Sequence, residues 1–199
     1  MIADVKRADI GSTARAYAAA YVESRDAAPP LADAVTVNPY LGREALDPFL
    51  AACRREGAGV FCLVKTSSPG GADVQDAILS DGRRVWQHVA ELVRDWGEDL
   101  VGERGLSALG AVVGATFPQE VAEVQRLVPR GVLLLPGVGA RGGRPGDLAH
   151  AFTSGPASAL VAASRSIIYA YRSRGGDWRA AAGAEAALVA RQVWAVSGW

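Results

Sequence analysis

Lysine is almost missing from this chain of 199 residues. Lys6 and Lys65 are the only two, and every other cation among the 21 basic side chains is arginine. Arginine cannot titrate as an acid or base, whereas lysine can. The two retained lysines, each at the C-terminal edge of a strand-like run, therefore raise a question of function. Histidine is equally sparse: His88 falls inside a helical stretch and His150 after a glycine-rich loop, with no third ligand at metal spacing, so no metal is expected. Two cysteines, Cys53 and Cys62, make no disulfide framework and point to a reducing cytoplasm. Neither has a paired histidine, so both read as small buried residues rather than nucleophiles. Net charge is missing too, because 21 acidic side chains balance the 21 basic ones. Such a chain has no electrostatic footprint for nucleic acid or an anionic membrane. No run approaches the roughly 18 apolar residues of a membrane span, and no signal peptide is visible. A Gly-x-Gly-x-x-Gly after the first strand and a phosphate-loop lysine motif are both absent, so no nucleotide cofactor is expected.

What is present is an alternation of apolar runs and amphipathic stretches. Strands are expected at Ile2–Lys6, Ala34–Asn38, Gly59–Thr66, Gly110–Ala115, Gly131–Leu135 and Ala159–Ala163. Helices are expected over about 12–24, 44–55 and 83–96, from Pro118 onwards, and over 177–196. The run GVFCLVKT is apolar without alternation, the mark of a strand covered on both faces. Strand–helix alternation of this kind implies parallel pairing with right-handed crossovers, an α/β fold in a single domain over 1–199. The pattern leaves open sheet and barrel undecided. The connection from Ser67 to Gly82 is long, polar and glycine-rich, and reads as a loop closing over a site rather than an idle excursion.

Two constellations carry chemistry. In the first strand, alternation puts Asp4 and Lys6 on one face, and Asp9 follows three residues beyond Lys6. Sites in parallel α/β proteins are built at strand C-terminal ends. Carboxylates beside a lysine there favour the charged ammonium and keep it loaded as a proton donor. The second constellation is Leu135–Gly143, a strand running into a loop with four glycines, among them Gly142 and Gly143, where backbone N–H groups can gather round an anion. Arg165 follows the sixth apolar run with Ser166 at a helix start, and an arginine beside a helix N-terminus suits a phosphate. In barrels the last two strand–helix loops are the usual phosphate site.

The stretch DVKRADIGST (Asp4–Thr13) closely resembles the Asp-x-Lys-x-x-Asp signature of the orotidine 5'-phosphate decarboxylase family, in its bacterial branch that includes actinobacterial enzymes. VTVNPYLG, VKTSSPGG, VVGATFP, LPGVGARGG and SRSIIYA match further family blocks in order across nearly the whole chain. The resemblance implies a (β/α)8 TIM barrel that works as a homodimer and converts orotidine 5'-phosphate to uridine 5'-phosphate without metal or cofactor. It implies Lys6 as the proton donor to C6 of the pyrimidine and Asp4 as the carboxylate set against the substrate carboxylate. Asp9 matches the aspartate that reaches into the neighbouring subunit's site, and Thr13 its companion near the ribose. Ser67 matches the pyrimidine-contacting segment, while Gly142, Gly143 and Arg165 match the phosphate grip. Arg141 stands where this branch has glutamine in the phosphate loop, and Ser68 where asparagine is common.

In the family the signature strand is the third of eight, whereas here it begins at residue 2. The chain therefore reads as an incomplete barrel of about six βα units, and little or no activity is expected of the 199-residue form alone. Two alternatives remain open. One is a catalytically silent fragment that dimerises or binds phosphorylated ligands. The other is a different phosphate-binding barrel enzyme, disfavoured because an imine-forming lysine needs a lowered pKa rather than carboxylate neighbours.

Overall fold

The structure is a computed structural model, and it describes residues 1–24 and 28–198. The chain runs β1 (Ile2–Arg7), α1 (Gly11–Tyr21), β2 (Ala34–Val37), α2 (Arg43–Glu56), β3 (Gly59–Lys65), α3 (Ala72–Gln75), α4 (Val85–Trp96), β4 (Ser107–Val113) and α5 (Pro118–Leu127). It continues through β5 (Gly131–Pro136), β6 (Ala159–Ala162), α6 (Arg165–Ile168), α7 (Tyr171–Arg174) and α8 (Trp178–Ser197). The six strands form one sheet in chain order, and every neighbouring pair is parallel. This is the α/β architecture expected from the alternation, folded as a half-barrel. Among the described residues β1 pairs only with β2 and β6 only with β5, so the sheet does not close on itself. No described helix is long and apolar enough to cross a membrane.

Local sequence explains the element ends. Helix α2 carries Glu44 in its first turn and Arg54 and Arg55 in its last, charges that complement the helix dipole. It stops at Gly57, whose φ of 70° is open to glycine without strain. Pro118 opens α5 where its missing N–H has no partner to lose. Asp177 caps α8 by accepting the Ala180 N–H at 2.8 Å.

The differences from the sequence reading are local. Strand β4 starts at Ser107, three residues before the apolar run. The Ser107 hydroxyl is buried there, donating to the Gly97 carbonyl and accepting the Leu109 N–H, so a satisfied polar residue continues the strand. The fifth crossover contains no α-helix and is built from three short 3-10 turns, Pro145–Asp147, Ala149–Phe152 and Pro156–Ser158. Its proline and glycine content accounts for that.

Two apolar layers sit on the two faces of the sheet. On the helix-covered face, Val35, Val37, Val60, Cys62, Leu109, Ala111, Leu133 and Leu135 join the helices in one large core. On the other face Ala34, Phe61 and Val112 form a small buried cluster with Ile2, Leu63, Val132 and Leu134 at its margin. The period-two pattern of strands puts Asp4 and Ile2 on the same side, so the charged residues of β1 rise above this smaller cluster.

Candidate active site

Lys6 is held by its backbone as much as by its side chain. It is the one non-glycine residue with positive φ among those described, at 49°. The β1–β2 register slips between Ala3 and Arg7, where four residues of β1 advance against two of β2. Lys6 therefore sits in a bulge, and its side chain reaches Asp4 by a left-handed kink, not by the regular alternation expected from sequence. A left-handed lysine stores roughly 1–2 kcal/mol of strain. Strain of this sort gathers at functional sites, where surrounding contacts hold it in place.

The contact that holds it is Thr36. The Lys6 N–H donates to Thr36 Oγ1 at 2.9 Å, and the same hydroxyl donates to Asp4 Oδ1 at 2.9 Å. Lys6 Nζ lies 2.5 Å from Asp4 Oδ1. Burial raises the Asp4 carboxyl, but the hydrogen bonds from Lys6 and Thr36 and the lysine charge outweigh it. Its pKa is held below the ordinary aspartate value. Thr36 was not anticipated. Its only signal in the sequence is a hydroxyl between two valines in an otherwise apolar strand, and it is 1% exposed.

A cleft of about 720 Å³ opens over the smaller apolar cluster at the C-terminal ends of the strands. Asp4 and Lys6 line one wall, Ser67 and Ser68 after β3 a second, and Arg141 and Arg165 after β5 and β6 a third, above a floor of Leu63, Val112 and Leu134. Residues distant in sequence thus converge as anticipated, and Arg141 Nη1 donates to Ser67 Oγ at 3.1 Å across the cleft. Beneath the glycine-rich loop the hydroxyls of Thr116 and Ser166 are buried with no protein partner. Gly137 and Gly139 pack against these two side chains, and Gly139 has a φ of +78°.

Four other anticipated residues do not line this cleft. Asp9 accepts the Ile10 N–H at 2.8 Å at the entry to α1, and Thr13 lies one turn into that helix. Gly142 gives its N–H to the Gly139 carbonyl, and Gly143 gives its N–H to the Gly137 carbonyl. Both N–H groups are spent inside the loop. Gly143 is needed for close packing, since a Cβ there would stand 2.9 Å from the Gly137 oxygen and 3.0 Å from the Ala115 oxygen. The cysteines are buried, and burial pushes the Cys53 thiol up to about 12 and the Cys62 thiol up as well, which suppresses the nucleophilic thiolate.

Chemically, the cleft pairs a strained, carboxylate-bound ammonium at one end with two arginines at the other, over an apolar floor. Residues 1–179 match the orotidine 5'-phosphate decarboxylase / HUMPS family. The orotidine 5'-phosphate decarboxylase of Rhodopirellula baltica is 47% identical over 174 residues, which is 86% of this chain and 57% of that protein. That of Deinococcus radiodurans is 44% identical over 192 residues, 96% of this chain and 65% of the relative. The chain thus spans between half and two thirds of the length of these curated relatives. Among solved structures, a Streptomyces avermitilis chain superposes with a TM-score of 0.78 at 36% identity, covering 100% of this chain and 65% of that one. The Leishmania donovani OMP decarboxylase superposes with a TM-score of 0.71 at 29% identity, covering 97% and 68%. With the family match running over most of its length, the chain belongs to the orotidine 5'-phosphate decarboxylase / HUMPS family.

Proposed function

We propose that this chain supplies the reacting half of a decarboxylase that converts orotidine 5'-phosphate to uridine 5'-phosphate. The observation that carries the reading is the Asp4–Lys6 pair, pinned by Thr36 in a strained bulge and facing Arg141 and Arg165 across one cleft. In the proposed step the bond from C6 to the carboxylate carbon breaks and carbon dioxide leaves. The electron pair stays on C6, and a proton passes to it from the Lys6 ammonium. A preorganised positive charge beside that carbon stabilises the carbanion-like transition state and then supplies the proton. Asp4, kept ionised by its partners, stands against the departing carboxylate. Arg165 and Arg141 take the phosphate, Gly142 and Gly143 serve only to hold the loop that carries Arg141, and Ser67 meets the pyrimidine. Phosphate binding at a distance holds the ring against Asp4. The chemistry as written needs no cofactor.

Asp9 and Thr13 lie outside the chain's own cleft, which supports a homodimer in which they complete the neighbouring site near the ribose. Two free, buried cysteines suit a cytoplasmic enzyme. Sedimentation velocity tests the dimer. The central test follows loss of the orotidine 5'-phosphate chromophore together with uridine 5'-phosphate binding. In a chain extended to the full length of the relatives, Lys6→Ala lowers turnover by about 10³-fold or more while retaining nucleotide binding; turnover that survives this substitution refutes the assignment. A second reading, a chain that binds phosphorylated ligands without turning them over, is favoured by β1 and β6 edges that find no further strand among the described residues and by a Lys6 side chain left 49% exposed. Electrostatic catalysis is strongest where water is excluded, so nucleotide binding with no turnover in a chain extended to the full length of the relatives selects that reading.

A further inference from the structure

The second lysine, Lys65, lies inside the VKTSSPGG block, while the residues that hold it and its neighbour lie beyond that block. Lys65 ends β3 and is 3% exposed, with its ammonium 2.6 and 2.7 Å from the two carboxylate oxygens of Asp76, just beyond α3. One residue on, the Thr66 N–H donates to Gln75 Oε1 at 2.9 Å, and Gln75 Nε2 donates to Thr66 Oγ1 at 3.0 Å. Ser67 then lies flush on β4's end, where a Cβ at Gly114 would come within 2.9 Å of Ser67 Cβ and N. The end of β3 and the start of the long connection after it are therefore tied down at Lys65, Thr66 and Ser67.

We propose that Gln75 and Asp76 are positioning residues, which fold α3 back onto the end of β3 and fix the Ser67 hydroxyl toward the ring of a bound nucleotide. The inference rests on the nucleotide reading of the cleft. Its physical content is preorganisation: a serine already held in place loses little conformational freedom when the ring arrives, whereas a released loop must be ordered by the ligand. Of the two arginines assigned to the phosphate, Arg165 follows β6, well away from this anchor, whereas Arg141 Nη1 donates to Ser67 Oγ. Loss of the anchor should therefore weaken contact with the ring far more than phosphate binding, which Arg165 retains.

The test uses the full chain with two probes, uridine 5'-phosphate and inorganic phosphate, by calorimetry, and amide hydrogen exchange at Thr66 by NMR. Asp76→Asn strands a buried ammonium and endangers folding, so Gln75→Ala, which removes only neutral hydrogen bonds, stands beside it. The expected result for Gln75→Ala is about tenfold weaker uridine 5'-phosphate binding with phosphate binding within about twofold of the parent. The Thr66 amide, its acceptor gone, exchanges at least about tenfold faster. Asp76→Glu, which keeps the carboxylate, restores most of the nucleotide affinity lost in Asp76→Asn. Faster Thr66 exchange with unchanged nucleotide affinity, or an equal loss for both probes, overturns the positioning role alone. A parent chain that binds phosphate but not uridine 5'-phosphate overturns the nucleotide reading and the positioning role with it.

Discussion

The Lys65–Asp76 pair makes a sharp prediction because its two ends are unequally buried. The Lys65 side chain is 4% exposed and that of Asp76 is 29% exposed. At 2.6 Å the gross attraction is about 6 kcal/mol at an effective dielectric constant near 20, most of it offset by desolvation. Asp76→Asn leaves a buried ammonium with an amide oxygen and the ring of Phe117, 5.2 Å away, but no full countercharge at hydrogen-bond distance, and should destabilise the fold by about 3–5 kcal/mol. Lys65→Met has a different outcome. The unbranched methionine fills the lysine channel, and Asp76 keeps contact with water and with Arg84 Nη1 at 3.7 Å, so the loss should be only about 1 kcal/mol. With a urea slope near 2 kcal/mol/M, the midpoint falls by roughly 1.5–2.5 M for Asp76→Asn and by about 0.5 M for Lys65→Met. Tryptophan fluorescence reads both transitions, since Trp86 is buried in the core. A Lys65→Met chain at least as unstable as Asp76→Asn would falsify the argument from unequal burial.

Three further outcomes follow from the same geometry. Lys6→Gly should be more stable than Lys6→Ala by about 1 kcal/mol, because glycine adopts positive φ without strain; equal urea midpoints would show that the kink stores nothing. Asp4, whose folded pKa is depressed, contributes stability that is present above its ordinary value of 3.8 and is lost as pH falls through the lower folded value. The melting-temperature gap between the parent and Asp4→Asn should therefore close on acidification through that window, and a gap that widens there contradicts the sign. Gly110→Ala in β4 should prevent recovery of folded protein, because its Cβ would overlap the Val132 carbonyl oxygen and stand 3.0 Å from Phe61 Cδ1. Overpacking against a strand backbone costs about 3 kcal/mol or more, and a Gly110→Ala chain with the parent's melting temperature would contradict the register of β3, β4 and β5.

The fold class was legible because β3 and β5 are apolar without interruption while α2, α4 and α5 carry helical spacing, and these local signals agree with one another. The amphipathic frame also placed all six strands to within a few residues. Strand β4 escaped at its start because Ser107 looks like a loop residue until its two hydrogen-bond partners are known. The crossover after β5 shows only a glycine-rich loop in the sequence, and its 3-10 turns betray themselves only through proline and glycine. Of the residues that line the cleft, Asp4, Lys6, Ser67, Arg141 and Arg165 fall in motif blocks, since each block is contiguous. Thr36, Gln75 and Asp76 could not be picked out, because what defines them is a partner across the sheet or across a loop.

The sequence by itself determined the order of parallel units, the pairing of an aspartate with a lysine at the first strand's end, and the arginine-bearing loops that follow the last two strands. Tertiary structure decided the rest. It put Lys6 in a left-handed bulge instead of a regular pleat, made Thr36 the hinge between the two charged residues, and turned Gly142 and Gly143 inward to hold their own loop. It also gave Lys65 to Asp76, and so made an apparently loose connection an anchored one. Hydrophobic periodicity and motif spacing are local and survive in one dimension, whereas hydrogen-bond partners and burial exist only once distant segments meet.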